Sequence, residues 1–459
     1  MKNYDVIIVG AGPAGIFAAL ELIKQNNRKV LILEQGPDLS KRVCVARSKD
    51  RGCTICHPCG ITAGWGGAGA FSDGKLTLTP EIGGWLDEYV GRERLTELID
   101  YVDAIYRDFG APDKVHGEDS KEIERIRRQA VKAELTLISG RIRHMGTDRC
   151  AEVLGNMRDF IGARAEVLTN TAVERILVED GRAAGVAVEG GKEIRADRVI
   201  IAPGREGADW LAGEAKRLGL ATQNNAVDIG VRVEVPAVVT ENLTRALYES
   251  KLIFTSRSFQ DKVRTFCMNP YGHVSPEVNG DVILVNGHSY AEEKTDNTNF
   301  ALLVSTMFTE PFKEPIAYGK YIARLANLIG GGIIIQTLGD LQLGRRSTEA
   351  RIAKSTVKPT LAGATPGDLS FVLPYRYISD IKEMLEALDK LAPGVNSRNT
   401  LLYGVEAKFY SSRLKLSPQL KTEVAGLYAV GDGAGVTRGL IQSSCSGVIA
   451  ARSVVEESG

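Results

Sequence analysis

The chain has 459 residues, 44% apolar and 25% charged, which is the balance of a globular protein too long for one ordinary core, so two domains are expected. Lys plus Arg and Asp plus Glu each total 57; without a basic excess, nucleic acid and anionic membrane surfaces are not expected partners. No apolar run reaches the ~18–20 residues that span a bilayer, and the first residues do not read as a signal peptide, so no membrane span and a cytoplasmic location are expected.

Tyr4–Val9 is a β-branched run and reads as a buried parallel strand. The turn Gly10-Ala-Gly12-Pro13-Ala14-Gly15 follows, and Ile16 to Lys24 has helical periodicity. A second strand, Val30–Leu33, ends at Glu34. Residues 36–80 read as a Gly- and Cys-rich loop, and 85–109 and 119–135 as helices. From Ala165 to Pro203 short alternating strands, divided at Asp180-Gly181 and Gly190-Gly191, predict a β-meander that ends in Arg198–Gly204. Residues 226–290 are strand-rich, and 299–329 and 378–391 read as helices. Gly426–Gly431 is a last strand, followed by a Gly-rich turn and a helix from about Gly439 to Glu456.

The fold class is therefore α/β, with a Rossmann-type cofactor domain of parallel sheet plus β-meander. It is expected to be assembled from residues 1–85, 136–215 and 400–459, with 86–135 a helical excursion. Residues 216–399 are expected to form an inserted α+β substrate domain.

The first turn carries the chemistry of dinucleotide binding. Gly10 permits the tight strand-to-helix turn, Gly12 lets backbone approach a pyrophosphate, and Gly15 allows close helix–strand packing. Pro13 and Ala14 open the helix whose N-terminus offers N–H groups and a positive dipole end to phosphate. Glu34, 19 residues after Gly15, can accept the adenosine ribose hydroxyls and disfavours a 2′-phosphate. The fingerprint alone does not separate FAD from NAD.

The segment Gly426–Gly435 resembles the second FAD motif of the flavoprotein superfamily that includes glutathione reductase and p-hydroxybenzoate hydroxylase. Arg198–Gly204 likewise resembles that superfamily's middle motif. The resemblance implies FAD, with Gly431 in the turn and Asp432 holding a ribityl hydroxyl. It further implies that the helix start at Gly439, Leu440 and Ile441 points toward the isoalloxazine, that Ala202 and Gly204 line the site, and that Val173 contacts adenine. A helix N-terminus there favours negative charge on a reduced flavin.

Cys44, Cys53, Cys56 and Cys59 precede Gly64–Lys75. With Arg143–Asp148 and Asn286–Tyr290, these strings resemble an uncharacterised group of bacterial and archaeal FAD-dependent dehydrogenases, which implies fold and cofactor but no substrate. In related flavoproteins this loop returns to the flavin. Gly66, Gly67 and Ala68 would then run against the ring, with Lys75 at flavin N5 or neutralising an anionic substrate. The cysteine spacing fits an iron–sulfur cluster, a structural zinc or a redox dithiol. A cluster would imply electron input from a donor such as ferredoxin.

No second dinucleotide turn is present, so NAD(P)H, if used, must bind transiently. His288 or Tyr290 can serve as proton donor in a reduction, since C=C or C=O reduction needs a proton as well as a hydride. Arg345 and Arg346 read as a carboxylate clamp or as surface residues, and Glu406 and Lys408 as residues near the ring. The expected function is an FAD-dependent oxidoreductase or dehydrogenase acting on a small organic molecule. Its alternatives are a ferredoxin-coupled flavin/iron–sulfur reductase and a non-catalytic electron carrier or redox sensor. The oligomeric state stays open, a homodimer being one arrangement.

Overall fold

In the computed structural model the described residues are 3–24, 28–43, 56–72, 74–223, 225–279, 281–289, 294–308, 314–409 and 413–457. They divide into two units: residues 1–115, 142–225 and 411–459, and residues 116–141 with 226–410.

In the first unit, the strand Asn3–Val9 buries both of its faces, Val6, Ile7 and Ile8 being fully inaccessible. A strand covered on both sides needs the continuous apolar run found there. It pairs in parallel with Val30–Leu33 on one side and Lys192–Ile201 on the other. Glu166–Leu168 extends the parallel sheet beyond Val30–Leu33, and Leu427–Ala429 pairs in parallel with Lys192–Ile201. The other half of Lys192–Ile201 turns back through Arg182–Val188 and Val173–Glu179 as an antiparallel meander. Asp180 and Gly181 both take positive φ, 49° and 74°, the conformation that lets a two-residue turn follow the twist of its strands. The first unit thus has the expected Rossmann-type sheet with its β-meander.

The second unit holds an eight-stranded sheet. Residues 116–141 belong to it rather than to an excursion of the first unit. Leu135–Ile138 pairs with Lys251–Thr255, and the helix Ser120–Lys132 buries Ile123, Ile126 and Ala130 in this unit's core. The unit limits at 225/226 and 410/411 likewise differ from the expected 216 and 399. Asn297–Thr306 is a strand, not the start of a helix, and pairs with Val227–Pro236 and Lys262–Asn269. The helix in this stretch is Pro315–Gly330.

Alternate residues of Val227–Pro236 enter the apolar core, while Asp228, Arg232 and Glu234 on the other face are buried without being apolar. Arg232 is fully inaccessible and donates from Nε and Nη2 to the two carboxylate oxygens of Glu406 at 2.7 Å each. Its Nη1 reaches Cys267 O at 3.0 Å and Asn299 Oδ1 at 2.9 Å. Lys408 extends the network to Glu277 at 2.9 Å and Glu406 at 3.5 Å. Removing one member of a buried pair leaves an uncompensated charge. Arg232→Met is therefore expected to cost about 3–5 kcal/mol, and adding Glu406→Gln to recover most of that loss, measured by urea denaturation.

Asp380 is fully buried beside Ser256 and Asp261. Burial pushes its carboxyl up to about 6 from the ordinary 3.8. A carboxyl raised in the folded state holds its proton more tightly there, so its stabilising effect is full below the unfolded value and fades as pH rises through the folded one. Stability should fall between about pH 4 and pH 6 on this account. Asp380→Asn should flatten that slope and raise the melting temperature above pH 6, as thermal scans at pH 5 and pH 8 would show.

Candidate functional site: a glycine-lined cradle

The segments singled out in the first unit converge through backbone approach. Gly10 has φ +104°, and a Cβ there would lie 2.1 Å from Ala202 O. A Cβ on Gly15 would lie 1.9 Å from Gly10 O, so helix and turn are packed backbone to backbone. Gly12 differs: the nearest atom to a Cβ on it would be Gly67 Cα, at 4.0 Å. The protein itself does not require glycine at position 12. A Cβ there would make only an ordinary contact, so the uncrowded main chain of this turn is where a pyrophosphate could approach closely.

The loop after the second strand closes over this turn. Gly66 N donates to Ala11 O at 2.8 Å, and Gly69 lies against Leu440, where a Cβ would meet Leu440 Cδ2 at 2.8 Å. Ala68 shares the short helical turn Gly67–Phe71. Two charged side chains hold the loop. Glu34, buried at the end of Val30–Leu33, accepts from Ala11 N at 2.8 Å, Gly36 N at 2.9 Å and Gly64 N at 2.8 Å. A carboxylate offers about four acceptor positions, so one remains for a ribose hydroxyl. Thr171 N donates to Glu34 O at 2.9 Å, which places the start of Val173–Glu179 beside this corner.

Arg42, which the sequence did not single out, is the second organiser. Its guanidinium donates to four carbonyls: Gly60 at 3.1 Å, Ile61 at 2.6 Å, Trp65 at 2.7 Å and Gly67 at 2.9 Å. Burial lowers it to about 10. No local pattern marks such a residue, because its partners are main-chain atoms 18 to 25 positions away.

The second motif joins the same place. Gly204 carries φ +61°, and a Cβ on Gly433 would lie 2.4 Å from Gly204 O. Asp432 Oδ1 accepts from Thr437 Oγ1 at 2.7 Å, leaving its other oxygen toward Arg205 Nε at 3.8 Å. Gly439 is the extended residue before the 17-residue helix Leu440–Glu456, and no side chain caps that end. Ser443 N bonds Gly439 O at 2.9 Å, so the N–H groups of Leu440, Ile441 and Gln442 precede the first helical bond and favour an anionic edge. Ile441 itself is buried, and what it contributes there is main chain.

Two family models match this chain: an FAD binding domain over residues 5–48, and the C-terminal domain-like region of FAD-dependent proteins over 226–409. Both descriptions are of FAD-dependent proteins, and they support an FAD-dependent oxidoreductase. The chain is 29% identical over 474 aligned positions to an uncharacterized protein of Clostridium beijerinckii, the match spanning 98% of this chain and 80% of that one. Among solved structures, it is similar to glycine oxidase of Geobacillus kaustophilus, at 16% identity and TM-score 0.41 over 99% of this chain and 95% of that one. It is also similar to formate oxidase of Aspergillus oryzae, at 14% identity and TM-score 0.46 over 99% and 98%.

His288 lies in the second unit, opposite His273 in the hairpin His273–Asn279/Val282–His288, and Tyr290 lies outside the described residues. Glu406 and Lys408 are taken up by the buried ion network, and Arg345 pairs with Asp340 at 2.7 Å rather than standing open as a clamp. Cys44 and Cys53 lie outside the described residues; Cys56 is exposed and Cys59 half-buried. Among the described residues no three His, Cys, Asp or Glu side chains are grouped as metal ligands, and no helix is long and apolar enough to cross a membrane.

The two turn glycines should respond differently to a methyl group. Gly12→Ala is expected to fold with unchanged stability and to lose at least tenfold in FAD affinity, because only the ligand needs that space. Gly15→Ala, with its Cβ 1.9 Å from Gly10 O, is expected to lose stability outright. Flavin fluorescence titration and thermal denaturation of both variants check the contrast.

Proposed function

We propose that this protein passes a hydride, or two electrons, between FAD held on the glycine-lined cradle and a small organic substrate. The observation that carries the reading is the convergence of the open Gly12 turn, the loop Gly64–Gly69 and the uncapped start of Leu440–Glu456. When bound, FAD supplies the electron chemistry. The chain would hold its pyrophosphate on the turn before Pro13–Leu22, and its ribose at the remaining acceptor position of Glu34. Asp432 would take a ribityl hydroxyl and the Leu440 end the flavin's electron-rich edge. Gly66, Gly67 and Ala68 would bring main chain against the ring. Lys75, His288 and Tyr290 are the candidate groups for proton supply.

A second reading, electron entry through a metal centre, is favoured by one observation. Arg42 ties Gly60, the residue after Cys59, to Gly67, so the cysteine segment and the ring-facing glycines share one anchor. In this reading Cys44, Cys53, Cys56 and Cys59 bind an iron–sulfur cluster or zinc, with ferredoxin as a possible donor for the former and NAD(P)H as a transient donor otherwise.

Anaerobic purification followed by visible spectroscopy and metal analysis tests both. FAD at about one per chain with bleaching by NAD(P)H and no iron supports the plain dehydrogenase. Iron at two or more per chain with slow NAD(P)H reduction supports the cluster. A chain that takes up no FAD sinks the primary reading.

A further inference from the structure

Lys75 has a neighbour that the sequence did not suggest. The strand Lys75–Thr77 runs antiparallel to Ile142–His144, and the register sets Lys75 directly opposite His144. Directly opposed residues share a face with Cβ atoms about 5 Å apart. The alternate pair, Leu76 and Arg143, turns to the other face and is buried. There Arg143 is committed to Asp103 through two bonds of 2.7 Å. Lys75 and His144 therefore project together, both half-buried.

The placement of this pair follows from its flanks. Gly69, six positions before the strand, lies against Leu440 at the start of the last helix. Just after the strand, Pro80 O and Ile82 O accept from Gln442 Nε2 at 3.1 and 3.2 Å. The segment thus lies against the first turn of Leu440–Glu456 on one flank and is hydrogen-bonded to it on the other. The corner itself is tight: Gly74 takes φ +66°, and a Cβ there would lie 2.4 Å from Cys150 Sγ. Met145 N closes the corner by donating to Gly74 O at 3.1 Å. Neither Lys75 nor His144 can drift far from the helix end.

We propose that Lys75 and His144 form a proton-handling pair at the flavin edge, acting on substrates that lose or gain an O–H or N–H proton together with a hydride. The proposal rests on the FAD reading above. In the oxidative direction the substrate's C–H bond breaks and delivers its hydride to the cofactor. The O–H or N–H bond breaks, its proton passes to the imidazole nitrogen, and its electron pair forms the new C=O or C=N bond. His144 is the group that takes the proton. Lys75 is a positioning residue whose ammonium disfavours a second positive charge beside it and so keeps the imidazole available as base.

Sulfite, which adds to flavin N5 and leaves an anion on the ring, is the probe. Wild type, Lys75→Met, His144→Gln and the double variant are loaded with FAD and titrated with sulfite by absorbance. FAD affinity should stay within about threefold across the series. Sulfite affinity should fall at least tenfold in Lys75→Met, which removes the cation, and stay within about threefold in His144→Gln, which removes a neutral imidazole; the double variant should lose more than Lys75→Met alone, because an imidazole released from its ammonium neighbour otherwise takes up part of the missing charge. Lys75→Arg should restore most of the affinity. In the cofactor-free protein, the His144 imidazole, one of five histidines, should titrate higher in Lys75→Met than in wild type by NMR.

Unchanged sulfite affinity in both single variants overturns the proposal, as does an FAD-loaded wild type that forms no adduct. A double variant no weaker than Lys75→Met, or an unmoved His144 titration, overturns the pairing. All of these leave the FAD reading intact. A wild type that fails to bind FAD overturns that reading, and the pair with it.

Discussion

The crossing of two helices sets the geometry on which the first unit depends. Pro13–Leu22 comes from the start of the chain and Leu440–Glu456 from its end. At their contact a Cβ on Gly447 would lie 2.0 Å from Ala14 O and 2.9 Å from Ala18 N. The helices touch through main chain, and any side chain at 447 would wedge them apart. Near the same contact, Gly431 lies against Ala14, where a Cβ would approach its methyl at 3.1 Å. Two turns more than 400 positions apart are thereby held in one place, and the last helix is aimed by the first. Ala14, at the helix start expected to face the cofactor, also carries this packing role.

Much of the first unit is legible in the sequence because each motif carries its own local instructions. Gly10, Gly15 and the β-branched run before them dictate a strand, a tight turn and a helix without help from afar. The meander turns announce themselves by residues that tolerate positive φ, as at Asp180-Gly181. The second unit is less legible. Phe300–Val304 is a continuous apolar run, and such a run does not separate a strand from a buried helix by periodicity. The prolines at 311 and 315 are the local signal that 299–329 is not one element. That Leu135–Ile138 pairs with Lys251–Thr255 is beyond any local pattern, since the partners lie more than 100 residues apart.

Charged residues are hard to read for the same reason. Arg232, Glu406 and Lys408 are polar residues in strands, a pattern that reads equally as solvent-facing or functional. Their meaning comes from one another. Arg232 and Lys408 supply two positive charges, and Glu406 and Glu277 two negative ones, in a layer where Arg232 and Glu406 have no solvent access. An isolated charge cannot be buried at tolerable cost, but a neutralised and hydrogen-bonded set can. The pairing of Lys75 with His144 escapes notice differently: 69 positions separate them, and only strand register brings them side by side.

The cradle is organised by a different electrostatic device. Glu34 and Arg42 carry opposite charges at one loop, yet their recorded hydrogen bonds run to main-chain groups: N–H donors for the carboxylate, C=O acceptors for the guanidinium. Each charge is met by backbone dipoles held in fixed positions, so the loop from Gly60 to Gly67 is shaped before any ligand arrives. Such buried charge–dipole contacts are screened little by salt, whereas attraction of a phosphate to an open helix end is screened much more. The shape of the site and the strength with which it draws an anion are therefore separable. The first is set by Glu34, Arg42 and the glycines, and the second by the helix ends that those residues leave uncovered.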